Sequence, residues 1–192
     1  MFVYSTDQFK TLLDFQSENE SQFTNLLDIG AGDGSVTARM SSLFKKVYVT
    51  ELSPTMQWRL ANSGYTVLDP DHWGDMKFDV ITCLNVLDRC EKPLTLLKQI
   101  RDYLNPENGR LIISLVLPFK SYFEYNRQHR PNESLEIEGD QPEEQINSLL
   151  LNVFQPMGFH LKKFTRLPYL CEGDIERSYY FLFDYLFVFE MS

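Results

Sequence analysis

Leu26-Leu27-Asp28-Ile29-Gly30-Ala31-Gly32-Asp33-Gly34, followed by Glu51 at the end of the next apolar run Val47-Tyr48-Val49-Thr50, decides the fold. The stretch reads as an apolar strand carrying an acid, then a tight glycine turn, then a helix. Glycines at 30, 32 and 34 let the backbone approach a ligand with no Cβ in the way. In a doubly wound sheet such a turn stands at the carboxyl end of the first strand, where these folds bind ligands. Glu51, at the tip of the second strand, can accept hydrogen bonds from both ribose hydroxyls of a nucleoside.

Three readings of the turn compete: a plain connector, a dinucleotide site and a site for a sulfonium nucleoside. The dinucleotide fingerprint is G-x-G-x-x-G with an acid about 20 residues on. Here the spacing is G-x-G-x-G, and Asp28 stands just ahead of it. Beside a pyrophosphate Asp28 would set negative charge against negative charge. The ammonium and sulfonium of S-adenosylmethionine suit it, so charge favours that cofactor, with S-adenosylhomocysteine as the product.

Reading outward, Thr6–Phe15 is an amphipathic helix in an N-terminal cap over about residues 1–24. Strands are expected at Asn25–Ile29, Val47–Thr50, Tyr65–Leu68, Phe78–Leu84 and Arg110–Leu117. Helices are expected at Ser35–Phe44, from Ser53-Pro54 to Ser63-Gly64, and at Pro93–Leu104. Ser53 followed by proline is a hydroxyl cap with proline at the first helical position. This alternation argues for a parallel α/β sheet. Residues 118–141 break the pattern and read as an irregular insertion. A helix at Glu143–Phe154 and strands at Phe159–Phe164 and Tyr179–Phe189 then finish the sheet with an antiparallel hairpin. The expected whole is one domain over 1–192 with a Rossmann-like, seven-stranded class I methyltransferase fold.

Composition narrows the partners. The chain has 192 residues and a formal charge of −9, with no clustering of Lys and Arg, which disfavours the phosphate backbone of nucleic acid. A neutral or basic peptide suits such a surface better. No run is long enough to span a bilayer, so no membrane contact is expected. Met1-Phe2-Val3-Tyr4 lacks the start of a secretory signal. An intracellular, cytoplasmic monomer is expected, with the endoplasmic reticulum or mitochondrion open if a segment precedes it. Cys83, Cys90 and Cys171, and His72, His129 and His160, are too scattered for a metal site.

Two segments look chemical. After the fourth strand comes Cys83-Leu84-Asn85-Val86-Leu87-Asp88-Arg89-Cys90. Asn85 offers an amide donor and a carbonyl acceptor, and Asp88 can accept a proton-bearing donor from a substrate; capping of a following helix is the bland alternative for both. The second is Arg166-Leu167-Pro168-Tyr169-Leu170-Cys171-Glu172-Gly173-Asp174, read as a loop that folds over the catalytic end of the sheet, with Tyr179-Tyr180 after it. Strand alternation lets only one of those two tyrosines point inward. After the third strand, Asp71 and Trp73 are placed to meet the adenine, with an apolar surface contact open for Trp73.

These segments together resemble the methyltransferase-like protein 9 (DREV) family over essentially the whole chain. The glycine motif is generic; Asn-x-x-Asp-Arg-Cys and Tyr-Leu-Cys-Glu-Gly-Asp are far more specific. The resemblance implies a protein-histidine methyltransferase that uses S-adenosylmethionine to modify the pros nitrogen (Nδ1) of histidine in His-x-His motifs, x being small. Asp28, Gly30, Ala31, Gly32, Glu51 and Leu52 would then face the cofactor, with Glu51 on the ribose. Asn85 and Tyr169 would contact cofactor or substrate near the methyl, and Asp88 and Tyr180 would hold the substrate imidazole. The segment at Asp71-His72-Trp73 is shorter than the family's usual one. A small-molecule methyltransferase and a non-catalytic cofactor-binding module are the alternatives.

Overall fold

Strand and helix patterns alternate through the first two thirds of the chain and build one sheet. The computed structural model describes residues 3–15, 23–123, 130–173 and 175–191. Expectations for the rest of the N-terminal cap and of the insertion, and those for His129 and Asp174, lie outside the described residues. Five parallel strands, β1 (Asn25–Ile29), β2 (Lys46–Thr50), β3 (Thr66–Leu68), β4 (Val80–Leu84) and β5 (Arg110–Val116), are followed by β6 (Phe159–Glu172) and β7 (Tyr179–Met191). Their order is β3-β2-β1-β4-β5-β7-β6, with β7 antiparallel to both neighbours. The order reverses between β1 and β4, which opens a crevice at their carboxyl ends.

Helices cover the two faces. They are α1 (Thr6–Leu12), α2 (Thr37–Ser41), α3 (Pro54–Asn62), α4 (Pro93–Tyr103) and α5 (Pro142–Ser148), the last widening into a π turn over Leu149–Phe154. A reciprocal cap between Ser5 and Gln8 starts α1. Every residue of β4 is buried, as a strand covered on both faces must be. One core face joins Leu27, Ile81, Ile113 and Phe187 to α4 and α5. The other joins Leu26, Val80, Ile112 and Leu186 to α1 and α2.

Three local expectations are corrected. The helix after the glycine turn starts late, because the Asp33 carboxylate takes both the Ser35 N–H (2.9 Å) and its hydroxyl (2.7 Å) and holds a turn there. Ser53 makes no side-chain cap at α3; Glu51 accepts the Ser53 N–H instead. The segment Arg166–Cys171 is strand, not loop, and belongs to the fourteen-residue β6. Pro168 reads as a loop signal, but β6 is the edge of the sheet, where a missing N–H is tolerated. Val116 of β5 pairs with Asp184, so the hairpin from Pro168/Phe183 to Glu172/Tyr179 runs on past the carboxyl end of β5. That projection forms one wall of the crevice.

Candidate functional site

The floor of the crevice is the glycine turn. Gly30 and Gly32 have φ of +68° and +57°, which few other residues adopt at low cost. A Cβ on Gly30 would stand 2.7 Å from Val86 Cγ2, whereas one on Gly32 would meet nothing within 4 Å. Val86 packs close against the first glycine, and the second leaves open space on its Cβ side. The Thr50 carbonyl accepts the N–H groups of Gly30 (3.0 Å) and Ala31 (3.1 Å), tying the turn to the end of β2.

Glu51 completes that tie. Its Oε2 accepts the Gly32 N–H at 2.9 Å, and its Oε1 accepts those of Leu52 (2.8 Å) and Ser53 (3.1 Å). The carboxylate is thereby held half-buried, with Oε2 accepting only one N–H and so keeping a lone pair for a hydroxyl donor. Leu52 beside it is 63% exposed, an aliphatic surface next to the acid.

Asp28 lies beneath, 3% exposed, with Oδ2 accepting the Thr37 hydroxyl (2.6 Å) and Oδ1 the Thr82 hydroxyl (2.7 Å). Burial raises its carboxyl to about 6, opposed by those two hydrogen bonds and reinforced by the charge of Glu51. Asp28 joins β1, β4 and the start of α2.

The far wall gathers residues distant in sequence. Asn85 follows β4 with φ +54°, its N–H donated to the Ser114 carbonyl at 3.0 Å. Its amide nitrogen donates to Oδ2 of Asp184 at 2.7 Å. Asp88 is mostly buried, its carboxylate 3.8 Å from Nε of Arg89, and its backbone carbonyl accepts the Tyr122 N–H at 2.7 Å. Burial raises the Asp88 carboxyl, with Arg89 pulling the other way. Burial likewise raises Asp184 to about 6, against the Asn85 hydrogen bond and the nearby Ser114 hydroxyl, with the charge of Asp88 adding to the rise. That Ser114 hydroxyl stands close without a fully formed hydrogen bond.

Tyr169 is 2% exposed on β6 and keeps its phenol proton well above the usual range, mainly through burial, with Cys171, Asp184 and Asp88 adding to it. Tyr180 pairs with Cys171 on the same side of the hairpin, and the Arg177 guanidinium lies 5.7 Å from its ring centre. Tyr179 faces away and is 63% exposed.

Among the described residues, five buried side-chain atoms lack a hydrogen-bond partner. Four of them, Asn85 Oδ1, Asp88 Oδ1, Asp184 Oδ1 and Ser114 Oγ, belong to this wall. Native interiors leave few such groups; Ser114 and Asp184 lie close enough to serve one another, while Asn85 Oδ1 and Asp88 Oδ1 are free to take a polar partner. Two buried carboxylates with one guanidinium nearby suit a cationic ligand or a charge that becomes positive.

Asn85, Asp88 and Tyr169 come together here around Asp184; Tyr180 lies on the same face of the hairpin but four residues further along β7 from Asp184. Glu51, Leu52, Gly30, Ala31 and Gly32 form the turn at the end of β1 and β2. Trp73 does not reach the crevice. Its indole is fully buried, 5.2 Å from the Tyr103 ring, and donates to the Pro70 carbonyl. Asp71 is exposed, its N–H donated to Asp69. Sequence reading misses Asp184 and Ser114. The available signal was a lone acid within the apolar run Tyr179–Phe189, since acids are rarely fully buried without a partner.

The family model for DREV methyltransferases matches residues 1–191. The chain belongs to the DREV methyltransferase family. Outside this family it is 31% identical over 125 residues to the mitochondrial ubiquinone biosynthesis O-methyltransferase of Schizosaccharomyces pombe, covering 55% of this chain and 44% of that protein. A tRNA U34 carboxymethyltransferase of Nautilia profundicola is 30% identical over 105 residues, 48% of this chain and 35% of that protein. The matched region thus spans less than half the length of these curated relatives. Among solved structures, the N-methyltransferase NodS of Bradyrhizobium japonicum, bound to S-adenosylhomocysteine, superposes with a TM-score of 0.62 at 16% identity, over 97% of this chain and 85% of NodS. These likenesses place the DREV chain in the class I methyltransferase fold.

The DREV family and this fold imply S-adenosylmethionine as cofactor. The residues present fit it. The open side of Gly32 admits a ligand against the backbone, Glu51 Oε2 keeps an acceptor site for a ribose hydroxyl, and the unpartnered Asn85 Oδ1 offers one for an ammonium. No helix among the described residues is long and apolar enough to cross a membrane.

Proposed function

We propose that this DREV protein is a protein-histidine N-pros-methyltransferase, methylating Nδ1 of histidine in His-x-His motifs of protein or peptide substrates. The observation that carries this reading is the Asp88 carboxylate, mostly buried three residues after Asn85 with Oδ1 unpartnered. Its setting, Asn85-Val86-Leu87-Asp88-Arg89-Cys90, is one of the two segments that resemble the histidine-modifying family most specifically. Bound S-adenosylmethionine supplies an electrophilic methyl and leaves as S-adenosylhomocysteine.

Neutral imidazole carries one N–H and one lone pair, and the tautomer decides which nitrogen attacks. Asp88, accepting the Nε2–H, leaves Nδ1 as the bare nucleophile. The same carboxylate stabilises the imidazolium that forms as the N–C bond is made, and the Nε2 proton is released afterwards. Neutral imidazole is abundant at physiological pH, so no base is needed before attack. The remaining acceleration comes from alignment. Tyr180 supplies a ring and hydroxyl beside the imidazole, and Tyr169 a neutral phenol near the methyl. Glu51 would hold the ribose, with Gly30, Ala31 and Gly32 along the methionine portion. Leu52 and Asp71 are left for the adenine; Trp73 is withdrawn from that role because its indole has no free face.

The test is mass spectrometry of a short His-Ala-His peptide incubated with the protein and S-adenosylmethionine. Gain of one methyl on histidine, lost in Asp88→Ala, is the expected result. Cofactor binding without transfer to any His-x-His peptide would refute the substrate reading and favour a small-molecule acceptor, as the name of the fission-yeast relative suggests.

A further inference from the structure

The Asn85 amide has two ends, and its neighbours decide which one meets the ligand. An ionised carboxylate accepts and never donates, so the 2.7 Å contact with Asp184 is made by the Asn85 nitrogen. The carbonyl oxygen therefore points elsewhere, buried and without a partner. The backbone of Asn85 is fixed as well, by its positive φ and by the hydrogen bond to the Ser114 carbonyl. Asp184 is fully buried on β7, on the face it shares with Leu182 and Tyr180, and neither oxygen has an ion-pair partner within 4.0 Å among the described residues.

Burying a carboxylate here is costly, and a hydroxyl or amide would also hold Asn85. Either of those could donate to Asn85 Oδ1 and allow the flipped amide. Only a carboxylate forbids it. We propose that Asp184 is a positioning residue that locks Asn85 with its carbonyl oxygen toward the ligand, making residue 85 an acceptor reserved for an N–H donor. The proposal rests on this wall being the methyl-transfer site described above. The donor is either the α-ammonium of the cofactor or an N–H of the substrate, and the test separates them.

Asp184→Asn keeps the shape but permits the flip, and Asn85→Gly deletes the side chain at a φ that glycine tolerates. The dissociation constant of S-adenosylhomocysteine is measured by calorimetry, and kcat and KM by turnover of a His-Ala-His peptide. Both are taken for the wild type, each single variant and the double variant. Each single change should weaken the arm that uses the acceptor by about tenfold or more, the value of a hydrogen bond to a charged group. The double variant should be no worse than Asn85→Gly alone, because Asp184 acts through Asn85. A loss confined to the calorimetric arm assigns the donor to the cofactor, and a raised KM with unchanged cofactor binding assigns it to the substrate. Additive losses overturn the proposal, and so does an Asp184→Asn variant equal to the wild type in both arms. If Asp184→Asn does not unfold cooperatively, Asp184→Ser, whose hydroxyl can also donate, carries the same test. If the peptide is not turned over, the histidine reading fails by itself and the calorimetric arm alone decides this one.

Discussion

Asp28→Asn is expected to make the protein more stable and a poorer binder of its cofactor. The Asp28 carboxylate is 3% exposed, and burial, with Glu51 behind it, raises it from 3.8 to about 6 despite hydrogen bonds from Thr37 and Thr82. A rise of that size corresponds to ~3 kcal/mol against the ionised form. Between those two pH values the native chain keeps a proton that the unfolded chain has released. Stability therefore falls as pH rises through the window, and the full penalty stands above about pH 6. Asparagine stays neutral, accepts from one threonine hydroxyl and donates to the other. Allowing for imperfect hydrogen bonding, the variant should gain ~1–3 kcal/mol near neutrality, a Tm rise of roughly 2–12 °C for a chain of this size. Urea unfolding at about pH 5 and about pH 7.5 measures both the gain and the slope. The wild type should lose more stability than the variant between them, while calorimetry shows weaker S-adenosylhomocysteine binding. A variant less stable than the wild type at the higher pH, or one with the same pH slope, refutes the reasoning.

Other substitutions separate packing from ligand contact. Gly32→Ala meets no atom within 4 Å but sits at φ +57°, so it should cost only about 1 kcal/mol of stability while impairing cofactor binding at least tenfold. Gly30→Ala puts a Cβ 2.7 Å from Val86 and should lose clearly more stability than Gly32→Ala in the same thermal scan. Asp88→Asn should lower kcat by roughly 10²–10³-fold, as loss of an electrostatic partner in a buried site does, with cofactor affinity within about twofold of wild type; equal losses of both would remove Asp88 from the chemistry. Because burial raises the Asp88 carboxyl, its protonation should join that of the substrate imidazole on the acid side of the kcat/KM profile. The wild-type acid limb should then be steeper than that of Asp88→Asn, and identical limbs would contradict this.

The sheet is legible in sequence where period and punctuation agree. The glycine turn after β1, the mostly apolar run of β4 and the antiparallel close of the sheet all come from local pattern. The hairpin is harder, because Pro168 signals a loop until the edge position of β6 makes proline acceptable. Asn85 and Asp88 stand out as polar residues at a strand end. Asp184 does not, since alternation alone does not say that its face meets Asn85, a residue on a distant strand end. Trp73 illustrates the reverse case. Its place after β3 suggests the adenine, but an indole of that size contributes more to a core, and it packs against Tyr103 of α4.

The central claim is that Asp88 takes the Nε2 proton and leaves Nδ1 to attack. Two-dimensional NMR of a ring-¹⁵N-labelled His-Ala-His peptide after turnover assigns the methylated nitrogen directly. The account predicts methyl on Nδ1 alone, at a rate that collapses in Asp88→Asn. Methyl on Nε2, or an Asp88→Asn enzyme that still modifies Nδ1 at the wild-type rate, would contradict it.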